Sequence, residues 1–297
     1  MRILKILILT ILLFSFSPFQ AFADKSDDTL VIAFSREITN LDYHYGTKTE
    51  YLILGDMIDD SLFYVENENL TYAPSLASDF NVVDDVTLDV NLRQGVKFHD
   101  GSEMTSDDVV YTYNFIVTND KNRRHKKLAS WLKSIEKTGK YSVRFNLNSP
   151  YANLFNDLYR IKIRKNGIMG TDGNWDDNAQ ATSLNGLGPY KVISFDPGVE
   201  VVLERNESYF GGPKGNPAIK NLIIRSIPDM GTQQAELMSG GIHWMYNVKK
   251  DVGEAMAKTG KADYQIGPSL RIGFLVLDAG GYSGEGNPIT KLDVRRA

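Results

Sequence analysis

The sequence predicts an α/β or α+β fold with a mixed sheet. Several short segments alternate apolar and polar residues at every second position, the pattern of half-buried strands. Other segments carry apolar residues at helical spacing behind explicit capping residues. The two kinds interleave without a regular βαβ rhythm, so no clean doubly wound arrangement is expected.

In chain order, Thr29-Leu-Val-Ile-Ala-Phe34 reads as a buried strand, and the polar run Ser35 to Asn40 after it reads as a loop where a ligand could meet the backbone. Tyr51 to Tyr64 places Leu54, Met57, Ile58 and Leu62 at helical spacing and predicts a helix. A turn at Asp84-Asp85 leads into Val86 to Leu92, where Val86, Leu88, Val90 and Leu92 share one face. Thr105 and Asp108 are spaced as a capping box ahead of a helix over Val109 to Val117. Tyr141 to Leu147, Val199 to Glu204 and Leu222 to Ile227 are further strands. Asp229 caps a helix that runs to Ser239 and stops at Gly240-Gly241.

The first residues read as an export signal. Arg2 and Lys5 precede an apolar run from Ile6 to Phe16, and Ala21-Phe22-Ala23 offers a cleavage site before Asp24. That run is too short to cross a bilayer, which takes about 20 apolar residues. The chain has no cysteine, so neither a disulfide nor a lipid anchor is expected, and a free periplasmic protein fits. Removing residues 1–23 takes off two positive charges and moves the formal charge from −4 to −6. An acidic chain argues against nucleic acid as partner. The one basic run, from Lys121 to Lys127, has no interleaved aromatic residue and reads as a solvated helix end or loop.

Catalytic chemistry is missing from the motifs. His44, His99, His125 and His243 show no metal-ligand spacing, and no Gly-x-Ser-x-Gly elbow, phosphate loop or dinucleotide fingerprint occurs. Gly211-Gly212-Pro213 and Gly280-Gly281 are turn chemistry, and the acidic stretch from Asp100 to Asp108 departs from the calcium-loop pattern. Adjacent carboxylates such as Asp176-Asp177 and Asp107-Asp108 suit solvated turns and helix starts. No catalytic residue, metal ligand or cofactor is therefore expected. A carboxylate-dependent periplasmic hydrolase is the alternative of a different class.

Three segments resemble the family 5 extracellular solute-binding proteins, the dipeptide-, oligopeptide-, nickel- and opine-binding receptors of ABC importers. The first is Pro74-Ser-Leu-Ala77 with Leu92-Arg-Gln-Gly-Val-Lys-Phe-His-Asp-Gly-Ser102 and Thr105-Ser-Asp-Asp-Val-Val110. The second is Gly186-Leu-Gly-Pro-Tyr-Lys-Val192 with Leu203-Glu-Arg-Asn-Glu-Ser-Tyr-Phe-Gly-Gly212. The third is Ala235-Glu-Leu-Met-Ser-Gly-Gly-Ile-His-Trp244, where His243 stands in place of an aspartate common in relatives. Leu41-Asp42 is a weaker fourth match.

The resemblance implies a two-lobed periplasmic binding fold of class II with an extra inserted subdomain. Residues 30–50 and 184–267 would form a discontinuous first lobe, residues 51–183 the insertion, and residues 269–297 the crossing strand and start of a second lobe. Relatives continue beyond Leu292-Asp-Val-Arg-Arg-Ala297, so the chain is expected to be the front part of its receptor. The resemblance further implies a monomer that takes peptide, or a comparable polar solute, to an inner-membrane permease and ATPase complex. Opines, sugars, haem or a nickel chelate are alternatives within the fold.

Cleft candidates by position are Glu37, Asn40 and Asp42 in the loop, Tyr246 and Asn247 at a strand end, and Arg271, Gly273 and Phe274 in the crossing strand. Tyr246 and Phe274 suit either tolerant aromatic walls or core positions. As charged loop residues, Glu37 and Asp42 are expected to be solvated. His99-Asp100-Gly101 reads as a structural turn.

Overall fold

The computed structural model describes residues 28–45, 48–66, 69–118, 126–167, 184–267, 282, 284 and 286–296. The expected signal segment, residues 121–125 of the basic run, and Arg271, Gly273 and Phe274, expected in a crossing strand, lie outside the described residues. The chain divides into two compact units, Met1–Lys249 and Lys250–Ala297.

The first unit opens with β1, Thr29–Phe34, which coincides with the sequence expectation. After helix α1, Thr49–Ile58, come strands β2 (Phe63–Val65), β3 (Tyr72–Pro74), β4 (Ala77–Asp84) and β5 (Thr87–Leu92). Helix α2 (Ser106–Thr118), strands β6 (Leu132–Gly139) and β7 (Ser142–Leu147) and helix α3 (Leu154–Arg160) follow. Strands β8 (Tyr190–Asp196), β9 (Glu200–Arg205) and β10 (Asn221–Ser226) lead to helix α4, Met230–Ser239. The second unit contains helices α5, Lys250–Ala257, and α6, Leu292–Arg296.

Two four-stranded sheets organise the first unit. One is mixed, in the order β1-β10-β9-β8, with β1 parallel to β10 from Thr29↔Asn221 to Phe34↔Ser226 and the remaining pairs antiparallel. Its core is the inward face of each strand, Ile32 and Phe34, Val201 and Leu203, Leu222 and Ile224, covered by Tyr51, Leu54 and Ile58 of α1. The period-2 alternation of strands and the i, i+3/i+4 stripe of a helix meet there as expected of layered packing.

The second sheet is antiparallel, in the order β4-β5-β7-β6. Leu88, Val90, Val143 and Phe145 face Val109, Tyr113 and Ile116 of α2, and Tyr113 meets Phe145 edge-on at 4.9 Å. On the opposite face the register pairs Asp89 with Arg144, which makes two hydrogen bonds to the carboxylate at 2.6 and 2.7 Å.

Local chemistry sets the element ends. Asp229 Oδ1 accepts from the backbone N–H of Thr232 at 2.7 Å, and Gly240 closes α4 in the left-handed conformation, as expected. At α2 the expected box forms in modified shape. Asp108 reaches back to the N–H of Thr105 at 2.7 Å, but the Thr105 hydroxyl accepts from Asp107 rather than Asp108.

The helix expected over Tyr51 to Tyr64 is corrected: it ends at Ile58, and Phe63–Val65 pairs with β3 instead. The reason is tertiary. The Gly188 N–H donates to the Ile58 carbonyl at 2.8 Å, and Lys214 Nζ donates to the carbonyls of Asp56 and Asp59, both at 2.7 Å. Partners from far along the chain thus satisfy carbonyls that a longer helix would have used internally. A Cβ on Gly188 would lie 2.5 Å from the Ile58 carbonyl carbon, so that approach requires glycine.

Candidate functional site

Ligands of open α/β sheets collect beyond the carboxyl ends of parallel strands, where the chain order switches direction. Such an end exists here. On the side of β1 away from β10, residues 243–246 run parallel to it: His243 N–H donates to Val31 O at 2.8 Å and Ala33 N–H to Trp244 O at 2.9 Å. Three parallel paths therefore finish side by side, at Phe34, Ser226 and Tyr246. Helix α4 carries the chain from β10 to the last of them, leaving β1 between.

The loop after β1 crosses one side of this end. Ile38 O accepts from Gly198 in the β8–β9 turn at 2.7 Å. Glu37 is exposed, and a Cβ on Gly198 would lie 3.8 Å from its carboxylate. On the other side Tyr246 is half-buried, with its hydroxyl donating to the buried carboxylate of Glu50. Its ring meets Phe34 edge-on at 5.9 Å and stacks on Trp244 at 5.5 Å. Asn247 follows, exposed and in the left-handed backbone region at φ 61°. Asparagine is among the non-glycine residues that adopt this conformation most readily, and here it turns the exposed backbone just past the strand end.

The structure thus brings Tyr246 and Asn247 together and places Glu37 over the hairpin turn. Asn40 and Asp42 are buried beneath the loop. Asn40 Oδ1 accepts from Asp42 N at 2.6 Å, which shapes the turn. The solvated position expected for Asp42 is corrected, because the side chain has no exposed surface and Arg164 Nη2 donates to it at 3.0 Å. Arg164 is itself fully buried and touches Asp59 at 2.6 Å, a charge contact rather than an aligned hydrogen bond. Burial pushes Asp42 up, but Arg164 and His44 hold it below the usual carboxylate range. Burial leaves Asp59 raised, opposed by Arg164 and reinforced by the charge of Asp42.

This polar seam continues through Lys162 to Asp56 at 2.5 Å and Lys214 to Asp60 at 2.9 Å. It ties the loop after β1 and the end of α1 to the segment after α3. Nothing in Ile161-Lys-Ile-Arg164 announced it: the alternation reads as apolar in, charged out, yet all four residues are buried.

A second seam joins the Phe98-His99-Asp100-Gly101 turn to Gly186-Leu-Gly188. The turn reading holds, with Gly101 at φ 85° and Asp100 Oδ1 accepting from Ser102 N at 2.9 Å. The His99 ring adds a clip: Nδ1 accepts from Gly186 N–H at 3.2 Å, so Nε2 carries the proton donated to Gly188 O at 3.0 Å. Burial pushes His99 down to about 4. Two functional candidates were missed from sequence, Trp244 and Glu50. Trp244 was findable as the i−2 neighbour of Tyr246 on one strand face, whereas Glu50 carries no such signal.

Among the described residues, no group of three or more His, Cys, Asp or Glu side chains could hold a metal ion. No described helix is long and apolar enough to cross a membrane.

The family model described as bacterial extracellular solute-binding proteins, family 5 Middle, matches residues 71–297. The chain belongs to this family. It is 32% identical over 219 residues to the oligopeptide-binding protein AppA of Bacillus subtilis, covering 72% of this chain and 36% of that protein. The solved structure of the same AppA in complex with a nonapeptide matches with TM-score 0.69 and 29% identity, over 78% of this chain and 45% of that one. NikA from Brucella suis, in complex with Fe(III)-EDTA, matches with TM-score 0.64 and 25% identity, over 72% of this chain and 42% of that one. This family 5 chain therefore spans less than half the length of these relatives, and its family is one of solute-binding proteins.

Proposed function

We propose that this family 5 chain is the substrate-capturing part of an ABC importer that takes up peptides outside the inner membrane and delivers them to the permease and its ATPase. The observation that carries the reading is the end of the parallel strands, where Tyr246 and Asn247 present an aromatic wall and an exposed, turned backbone. Peptide main chain hydrogen-bonds readily to such strand ends, and aromatic walls tolerate varied side chains. The likeness to AppA supports peptide as the solute. In this reading Glu37, Tyr246 and Asn247 face the ligand from one lobe. Asn40 and Asp42 hold their loop from beneath, and Arg271, Gly273 and Phe274 supply the crossing strand. Residues 1–23 direct export and are removed, leaving the protein periplasmic and monomeric.

Contacts to both lobes would favour a closed form, and closure is what a permease can read. The likeness to NikA supports a second reading, a receptor for a metal chelate. Native mass spectrometry of the full-length protein, incubated with a tryptic digest and separately with nickel–histidine, decides between them. Retained peptides at one per protein support the first. Retained chelate alone overturns it, and conversion of peptide to new products at substoichiometric protein overturns both.

A further inference from the structure

Glu50 lies in the first turn of α1, 4% exposed, and accepts a hydrogen bond from the Tyr246 hydroxyl. A buried carboxylate is a costly element of a core, and an apolar pair of the same volume would pack as well or better. What Glu50 does achieve is to fix one ring. Tyr246 is held edge-on to Phe34, with an interplanar angle of 81°, and lies nearly parallel to Trp244, at 16°. The three rings form a ladder that starts in the mixed-sheet core and ends at the surface. Its last rung, Trp244, is 42% exposed.

We propose that Glu50 is a positioning residue: through Tyr246 it holds Trp244 as a preformed aromatic step that takes an aromatic side chain of a bound peptide. The inference rests on the receptor reading above and names a specificity within it. The step is apolar and continuous with the core, so a second ring laid against it removes apolar area and gains the offset-stacking or edge-on geometry that rings prefer. A cation is the weaker match. The carboxylate that touches the ladder is buried and already accepts the tyrosine hydroxyl, so it is not offered to a ligand ammonium or guanidinium. Fixing the rings before binding removes ordering cost from the complex.

The test is calorimetric titration of the full-length protein with alanine–serine hexapeptides in which one Phe is moved through each position, against the Phe-free hexapeptide. In at least one register Phe should tighten binding by about three- to tenfold. Trp244→Ala should remove that gain, so that the Phe-containing and Phe-free peptides bind that variant alike. Glu50→Leu should remove most of it, while Glu50→Gln, which still accepts from the hydroxyl, should retain it. A gain that survives Trp244→Ala overturns the proposal, as does an equal loss for all peptides in Glu50→Leu. Should Glu50→Leu fail to fold, the exposed Trp244→Ala and the conservative Glu50→Gln carry the test. Peptide binding with no Phe gain overturns this inference alone, whereas no peptide binding by the unaltered protein overturns the receptor reading as well.

Discussion

The two sheets of the first unit are built by opposite strategies. The antiparallel sheet is local: β4 with β5 and β6 with β7 are hairpins, and its core faces a helix from the same stretch of chain. The mixed sheet is assembled from afar, with β1 pairing with β10 across the whole antiparallel region and residues 243–246 closing on its other side. Hairpin pairing closes short loops, while β1–β10 pairing brings together residues nearly two hundred positions apart and so depends on what joins the halves. The strand-end site belongs to the long-range sheet. Its geometry is thus only as good as the two polar seams that hold the halves together.

Breaking the Arg164 seam should have the largest effect. Arg164→Met leaves Asp42 and Asp59 buried without their cation, and the loss should be about 3–5 kcal/mol by chemical denaturation. Adding Asp42→Asn and Asp59→Asn should restore most of that loss, because the seam then carries no unpaired charge. A simple additive loss in the triple variant would mean that the charges contribute separately rather than as one unit.

The His99 seam should show as pH dependence. In the unfolded chain this imidazole takes a proton below about 6.5, whereas in the fold burial lowers it to about 4. The unfolded state therefore binds more protons between those values. Stability contributed by His99 is complete above about pH 6.5 and falls as pH drops toward 4, by roughly 3 kcal/mol at most. His99→Gln can still accept from Gly186 and donate to Gly188. It should keep most of the stability at pH 7.5 and flatten that acid limb, measured as the denaturation midpoint against pH. An unchanged acid limb would assign it to other groups.

The smallest effect is expected within the mixed sheet's own crossover. Asp229→Ala removes the cap of α4 and should lower the thermal midpoint by about 2–4 °C. The two sheets should still unfold together if the seams, rather than α4, couple them.

Legibility in the sequence followed the same division. Strands that bury one face announced themselves: Leu88, Val90 and Leu92 in β5, Val143, Phe145 and Leu147 in β7, and Leu222 and Ile224 in β10 are all buried. β6 escaped notice because a register shift between Leu132 and Ser134 breaks its alternation, and β4 because all but Ala77 of it is exposed. Near the candidate site, Tyr246 and Asn247 lie at the end of a path parallel to β1, the strand-end place expected for them. Asp42 was misjudged as solvated, because a loop carboxylate gives no sign of a guanidinium arriving from 122 residues away.

By itself the sequence determined what short-range physics controls: which segments alternate, where Asp229 and Gly240 bound a helix, the turn at Asp100-Gly101, and the motifs that match the family. Only the tertiary structure decided where α1 stops, which charges are buried and paired, and that Glu50 accepts the Tyr246 hydroxyl. The reason is physical. Periodicity and capping are set by neighbours within a few residues, whereas burial of a charge is set by whichever distant group arrives to neutralise it.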